Sequence, residues 1–280
     1  MPALDIFSGS AFSMVALTDA INKMPYVPGR IGQLGLFREQ GVSTTSVMIE
    51  EREGSLNLVE TTARGAPAIQ NTTNKRKARS LVVPHIALED TILADEVQNV
   101  RAFGSESMLE GVQAVVNQRM SEMATKMDAT LEHLRVGAIK GQILDADGTA
   151  VIYDLFTEFG VTAYTEIDFD LDNASPAPGA VKKKCHDIRR KIEDELGVVP
   201  YDHIHAMCGP DFFDDLITHP EVEKAYERWL DGAFLRQGQA RGSFEYAGVL
   251  FEEYRGKVGT VDFTDASKAY FLPVGVPGLF

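Results

Sequence analysis

The stretch SESMLEGVQAVVNQRMSEMATKMDATLEHLRVGAIK, residues 105–140, decides the fold class because it predicts one very long helix. From Met108 to Ala138 its apolar residues recur at spacings of three and four, as on one face of a helix. Ser105 can cap the start, and Lys140 suits the negative end of the helix dipole. At about 1.5 Å per residue the helix would be roughly 50 Å long, which exceeds the width of a small domain.

The sequence before this helix predicts an arm and a hairpin with little core of their own. Residues 1–37 are apolar but interrupted by prolines and glycines, which permits one short helix near residues 11–21 in an extended segment. VSTTSVMIEE (42–51) and GSLNLVETT (54–62) are rich in β-branched residues and predict two strands of a hairpin. Residues 63–78 are polar and rich in turn formers, which predicts a loop. Such segments need another surface on which to bury their apolar side chains.

The sequence after the long helix mixes strands with helices and predicts an α+β chain. QILDADGTAVIYDLF (142–156) predicts a hairpin that turns at Asp147 and Gly148. The strict alternation of TAYTEIDFDLD predicts a strand over 162–172. Two further helices are predicted over 178–196 and 210–230, each with a proline at its start. The remaining strands are predicted in HIHAMCG (203–209), GSFEYAGVLFEEYRG (242–256) and KAYFLPVGVPGLF (268–280).

The charge balance excludes a protein that holds nucleic acid by neutralising phosphates. The chain has 27 basic and 41 acidic residues, a formal net charge of -14 and a pI near 4.9. Its two cysteines form no disulfide framework, which favours a reducing compartment. The N-terminus lacks the basic region of a signal peptide, and no apolar run is as long as a membrane span.

Three residues close in sequence, His203, His205 and Cys208, form the strongest metal-site candidate. On a strand the two histidines share a face, as a metal pair would, and Cys185 with His186 could approach them. A third and fourth ligand at customary spacing are missing, so a half-buried strand explains these residues better. A metal-dependent enzyme that uses them stays a less favoured alternative.

Two acidic motifs and one basic motif have simpler structural explanations. Asp145–Gly148 (DADG) resembles the start of a calcium loop, but its glycine falls too early, which favours a hairpin turn. The carboxylates of 166–172 alternate with apolar residues, which predicts a solvated strand face rather than a cation site. NKRKAR (74–79) is typical of a solvated loop tip or of a contact for the acidic face of a partner. The sequence contains no P-loop, GxSxG or HExxH motif, and we expect no catalytic residues and no cofactor.

Five segments in one order resemble the lambda-type phage major capsid (head) protein family, phage major capsid protein E. They are LTDAINKMPYVPGRIGQLGLF (17–37), VVPHIALEDTILADEVQNVRAFGSE (82–106), VIYDLFTEFGVT (151–162), GPDFFDDLITHPEVEKAY (209–226) and KAYFLPVGVPGLF (268–280). The resemblance covers most of the chain, and it implies a structural protein of the virion rather than an enzyme.

The resemblance implies a Hong Kong 97-like capsid fold. Its parts would be an N-terminal arm (1–36), an extended loop (37–84), a peripheral domain (85–177) with a spine helix (105–140), an axial domain (178–262) and a return strand (263–280). Because members of the family usually continue well beyond this point, we expect the chain to be truncated at Phe280.

The resemblance also implies an assembly. Copies of the chain would form hexamers and pentamers of an icosahedral phage or prophage head around double-stranded DNA, built in the host cytoplasm. Scaffold, portal and decoration proteins would be its partners. A phage tail or connector component is the rival interpretation.

The arm and the extended loop supply the predicted subunit contacts, because their apolar faces would be buried on neighbouring copies. These residues are Phe7, Phe12, Leu36, Phe37, Val47, Ile49, Leu56, Leu58, Arg76 and Lys77. The connector that follows would be anchored on the body, first by Ile86 and Leu88 and then by Val97, Val100 and Phe103.

Overall fold

The computed structural model describes residues 29–52, 76–93, 112–173, 175–231 and 243–279. The chain divides into two compact units, of which one is Glu39–Glu89 and the other combines Met1–Arg38 with Asp90–Phe280. Both helices and strands are present, as the α+β prediction requires. The predicted short helix near 11–21 lies outside the described residues.

The described helices differ widely in length. They are α1 (Arg30–Gln33), α2 (Val112–Lys140), α3 (Leu155–Phe159), α4 (Ala180–Leu196), α5 (Pro210–Thr218) and α6 (Glu223–Asp231). The described strands are short. They are β1 (Ser46–Arg52), β2 (Arg76–Val82), β3 (Gln142–Leu144), β4 (Val151–Asp154), β5 (His203–Cys208), β6 (Ser243–Tyr246), β7 (Val249–Glu253), β8 (Lys257–Val258), β9 (Val261–Asp262) and β10 (Ala269–Val274).

The unit Glu39–Glu89 contains a two-stranded antiparallel ribbon. Strand β1 pairs with β2 along its whole length, from Ser46 opposite Val82 to Arg52 opposite Arg76. The strand predicted within 42–51 is therefore confirmed, whereas the predicted loop over 63–78 is wrong from Arg76 onward. The second predicted strand, 54–62, lies outside the described residues.

The long helix is confirmed over Val112–Lys140, which is 29 residues and about 43 Å long. Its predicted start at Ser105 lies outside the described residues. The predicted apolar face is buried mainly near the C-terminal end, around Val136, while Leu131 is 39% exposed and Met120 and Met127 are half-buried. Much of this rod is therefore not covered by the described part of its own chain.

The end of α2 is fixed by Gly141, which has φ 83 and so takes a left-handed conformation that favours glycine. The predicted hairpin follows, because β3 pairs with β4 and Asp145 bonds to Ala150 across the turn. Asp154 then caps α3 by accepting bonds from the backbone of Phe156 and Thr157.

A four-stranded sheet in the order β10–β5–β7–β6 forms the centre of the larger unit. Strand β5 runs parallel to β7 and antiparallel to β10, and β6 and β7 form a hairpin. Helices α5 and α6 lie between β5 and the hairpin in sequence, so they belong to the connection that the parallel pair requires.

The sheet is covered on both faces. On one face Ile204, Ala206 and Phe251 pack with α4 and α5 in the larger hydrophobic cluster. On the other face Met207 packs with Ile31 of α1 and Val136 of α2 in a smaller cluster. Successive residues of β5 thus point to opposite layers, which explains why five of its six residues, Ile204–Cys208, are buried.

The segment 162–172 is not a strand, although its alternation correctly predicted which side chains face inward. Phe169 is buried and Ile167 and Leu171 are half-buried, whereas the carboxylates between them are exposed. The segment forms neither helix nor strand, and Asp170 within it has a positive φ of 54. No pairing partner is described for it, so the carboxylates do not lie on a sheet.

The helix predicted over 210–230 is two helices, because Pro220 interrupts it. Proline lacks the N–H and fixes φ, which prevents α5 from continuing beyond Thr218. The break turns Glu221 toward the start of α4, where its carboxylate accepts bonds at 3.1 Å from the backbone N–H groups of both Val181 and Lys182.

Candidate subunit-contact surfaces

The β1–β2 ribbon presents apolar side chains on both of its faces. The register places Met48 and Val82 on one face, and they are 73% and 63% exposed. Val47, Ile49 and Leu81 lie on the other face and are half-buried. Two strands alone cannot bury two apolar faces, and among the described residues part of this apolar surface stays exposed to solvent.

The predicted contact residues fall into three groups. Val47 and Ile49 lie on the ribbon, where Lys77 is exposed and Arg76 opens β2. Leu36 is 8% exposed and Phe37 packs against the smaller cluster, so both contact their own chain. Phe7, Phe12, Leu56 and Leu58 lie outside the described residues. A role in contacts between copies stays a prediction for all ten.

The predicted anchors of the connector do not behave alike. Ile86 and Leu88 are 40% and 41% exposed, so neither is buried as an anchor would be, and this part of the prediction is wrong. Val97, Val100 and Phe103 lie outside the described residues.

A charged junction holds α1 to the central sheet. Arg30 donates from Nε to Oε1 of Glu252 at 2.5 Å and from its terminal nitrogen to Oε2 at 2.7 Å. His205 approaches the same carboxylate, with Nε2 at 3.2 Å from Oε2. Burial raises the pKa of Glu252, but the hydrogen bonds from His205 and Arg30 outweigh it and leave that pKa below its ordinary value.

A second buried carboxylate holds the same short helix from the other side. Glu132 of α2 accepts a bond at 2.7 Å from the backbone N–H of Ile31, and Tyr254 donates to it at 3.3 Å. The approach is close, because a Cβ on Gly29 would lie 2.3 Å from the Glu132 carboxyl carbon. Glu132 and Glu252 together hold α1 against α2 and the central sheet.

The three candidate metal ligands do not converge. His203 and His205 share one face of β5, with ring centroids 6.3 Å apart, whereas Cys208 points into the opposite layer with Ile204. Burial raises the pKa of the Cys208 thiol well above its ordinary value and that of Cys185 to about 12, and both remain thiols at neutral pH. The described ranges contain no group of three or more His, Cys, Asp or Glu placed to hold a metal ion.

The sequence matches the family model of phage major capsid protein E over residues 13–280. The chain belongs to this family. It is 31% identical over 268 residues to the major capsid protein of Salmonella phage Felix O1 (isolate Felix O1-VT1), a match that covers 89% of this chain and 71% of that protein. It is 30% identical over 286 residues to the major capsid protein of Pseudomonas phage KPP10, covering 95% and 79% of the two chains.

Membership in the phage major capsid protein E family confirms the resemblance and gives the chain a structural role in a phage capsid. A structural role is consistent with the features described above, namely the exposed apolar ribbon and the buried carboxylates that hold α1. Among the helices of the described segments, none combines the length and the apolar character needed to cross a membrane.

The anchors of this capsid-family chain were not predicted from the sequence. Arg30 lies in the arm, where only an extended segment was predicted at that position, and Glu132 occupies an unremarkable position in a charged helix. Only one signal was available, namely that an acidic residue at 132 lies within the apolar face of α2, between Leu131 and Leu134. A buried acid at such a position requires donors, and the α1 backbone supplies them.

Proposed function

We propose that this chain is the shell-forming subunit of a phage or prophage head, assembling as hexamers and pentamers around double-stranded DNA. The observation that carries the proposal is the β1–β2 ribbon with its two apolar faces. Met48 and Val82 on one face are largely exposed, and Val47 and Leu81 on the other are partly exposed. Copies of the same chain offer surfaces at fixed positions that can cover them. Repeated heterologous contacts of this kind close into rings.

The proposed architecture is the Hong Kong 97-like capsid fold. The arm would comprise 1–36, the extended loop 37–84, the peripheral domain 85–177 with its spine helix 105–140, the axial domain 178–262 and the return strand 263–280. Support comes from α2, a rod of 29 residues whose middle is only partly covered, and from the separate unit Glu39–Glu89.

The proposed environment is the virion, with assembly in the host cytoplasm. The net charge of -14 supports a container wall, because a basic lining would bind packaged DNA by releasing counterions. Scaffold, portal and decoration proteins would assist and complete the shell. A standard interface buries on the order of 1,600 Å², and several per subunit would hold the ribbon in place.

Electron microscopy and sedimentation of the full-length purified protein test this function. Closed shells, or hexamers and pentamers, are the expected species. Tubes or single rings would instead favour a tail or connector component. A chain that stays monomeric at high concentration, under conditions in which it is folded, would overturn the proposal.

A further inference from the structure

A groove of about 1000 Å³ runs along β10 in the larger unit. Its walls come from the end of α2, the segment 163–172, the second half of α4 and β10 itself. The floor is apolar, and several of its side chains are only half-buried, among them Ile167, Ile192, Leu196 and Phe271. Because these side chains keep part of their surface in water, the groove has apolar area that an occupant could cover.

Helix α4 gives one wall of the groove a regular ridge. Ile188, Ile192 and Leu196 are spaced four residues apart and all line the groove. Ile188 is buried, whereas the next two are half-buried. Side chains at this spacing form the ridges that pack into the grooves of another helix. Strand β10 is less suited to adding a strand, because it is an edge on which Pro273 has no N–H to donate. The wall therefore favours a helix as occupant.

The rim of this groove is acidic. Six carboxylates line it, against three lysines: Glu166, Asp168, Asp170, Asp172, Glu195 and Asp215 against Lys140, Lys191 and Lys268. Lys268 already pairs with Glu166 at 2.6 Å, and Lys140 lies 3.7 Å from Asp265. The remaining negative charge favours a basic occupant and disfavours DNA and anionic membranes.

The chain itself does not offer a basic helix among its longer segments outside the described residues. Residues 1–28, 53–75 and 94–111 are neutral or acidic. Residues 232–242 contain two arginines and no acid, but three of these eleven residues are glycines, which disfavour a helix. The charge of the groove therefore points to a different protein as the source of its occupant.

We propose that the groove along β10 docks a basic amphipathic helix of a protein other than the capsid chain. The apolar face of that helix would cover Ile192, Leu196 and Phe271, and its basic flanks would meet Asp172 and Asp215 on the rim. Opposite charge attracts the partner and fixes its orientation, while the apolar contact holds it. The inference goes beyond the proposed shell, because it assigns this surface to a second kind of protein, and it does not require that shells form.

A designed peptide tests the docking on the full-length chain before assembly. The probe is a fluorescent helix of about 18 residues, made of leucine and lysine, with the leucines on one face. Fluorescence anisotropy should show that it binds, and a peptide of the same composition with its leucines spread around the helix should bind at least about tenfold more weakly. Equal binding of the two peptides would mean that net charge alone attracts them, and would overturn the inference.

Charge reversal in the chain tests whether the rim is the binding surface. Asp172→Lys with Asp215→Lys should weaken binding of the one-faced peptide on the order of tenfold. Glu223→Lys with Glu227→Lys reverses two charges outside the groove lining and is the matched control, which should bind as the parent does. All four side chains are exposed, and denaturation of each variant checks that it is folded. An unchanged affinity in the groove variant, or an equal loss in the control, overturns the inference.

A photo-cross-linking group on the apolar face of the peptide locates the contact directly. Mass spectrometry should find links to the second half of α4 and to β10, and links confined to other surfaces would overturn the inference. Electron microscopy of the same protein after assembly separates this result from the proposed function. Peptide binding without shells supports the docking and contradicts the head function, whereas shells from a chain that binds no peptide contradict the docking alone.

Discussion

Arg30 and Glu252 are 222 positions apart and meet through two hydrogen bonds of 2.5 and 2.7 Å. The carboxylate is buried and also contacts His205, whereas the guanidinium is about one-third exposed. The pair fixes α1 on the central sheet.

Arg30→Ala should destabilise the folded chain by about 2 kcal/mol, because Glu252 would stay buried without the two hydrogen bonds that Arg30 donates. Because Arg30 is partly exposed, the expected loss of stability is smaller than the largest losses known for fully buried ion pairs. Chemical denaturation of the full-length protein measures it. Arg190→Ala removes an exposed contact to Asp187 and is the control, with an expected change of less than about 0.5 kcal/mol. Equal effects of the two variants would contradict the role of the junction.

Glu132→Ala should destabilise the chain by about 2 kcal/mol, because the buried N–H of Ile31 and the Tyr254 hydroxyl lose their acceptor. Glu122→Ala on the same helix removes an exposed carboxylate that accepts a bond from Gln118, and it should have little effect. Chemical denaturation of both variants in parallel gives their free energies of unfolding. If Glu132→Ala loses no more stability than Glu122→Ala, Glu132 does not anchor α1.

Stability should fall in acid because several carboxylates have depressed pKa values, among them Glu221 and Glu252. Burial raises the pKa of Glu221, but hydrogen bonds from Tyr246 and from the start of α4 bring it below its ordinary value, as at Glu252. A carboxylate with a lower pKa in the folded state stabilises that state above its unfolded pKa, about 4.3, and the stabilisation is lost as the pH falls through the folded value.

The measurement is the urea midpoint between about pH 7 and pH 3. The parent should lose stability below about pH 5, and Glu221→Gln with Glu252→Gln should show a shallower pH dependence because neither position can then titrate. Unchanged pH dependence in this double variant would assign the acid sensitivity to other groups.

Met48→Ser should leave the stability of the unassembled chain within about 0.5 kcal/mol, since its side chain is 73% exposed. Particle yield should nevertheless fall, because the ribbon loses apolar area that another copy is expected to cover. Val198→Ser is a suitable control, with a side chain that is 78% exposed outside the ribbon. Denaturation measures the stability of each unassembled variant, and particle counts by electron microscopy measure its assembly. Equal particle yields for Met48→Ser and Val198→Ser would argue against burial of Met48 in the assembly.

Local patterns in the sequence predicted the local elements well. The spacing of apolar residues predicted α2, Gly197 marked the end of α4, and Asp147 with Gly148 marked the turn between β3 and β4. These features depend on neighbours within a few residues, so they can be read directly from the chain.

Features that depend on distant partners were missed. The alternation over 162–172 correctly predicted which side chains are buried. It wrongly predicted a strand, because a strand also needs a partner, and no pairing is described for this segment. The pairing of β1 with β2 joins segments separated by residues 53–75. At neither Glu132 nor Glu252 does the sequence reveal that the hydrogen-bond donors come from α1.

The separation of Arg30 from Glu252 also sets an order of events on the ribosome. At about 5–20 residues per second, the 222 residues between them take on the order of 10–45 s to translate. Throughout that interval the nascent chain carries Arg30 without its carboxylate partner, although Glu132 is translated 101 residues after Ile31 and can already accept its hydrogen bond. The charged junction between α1 and the central sheet is therefore completed only after β7 has been synthesised.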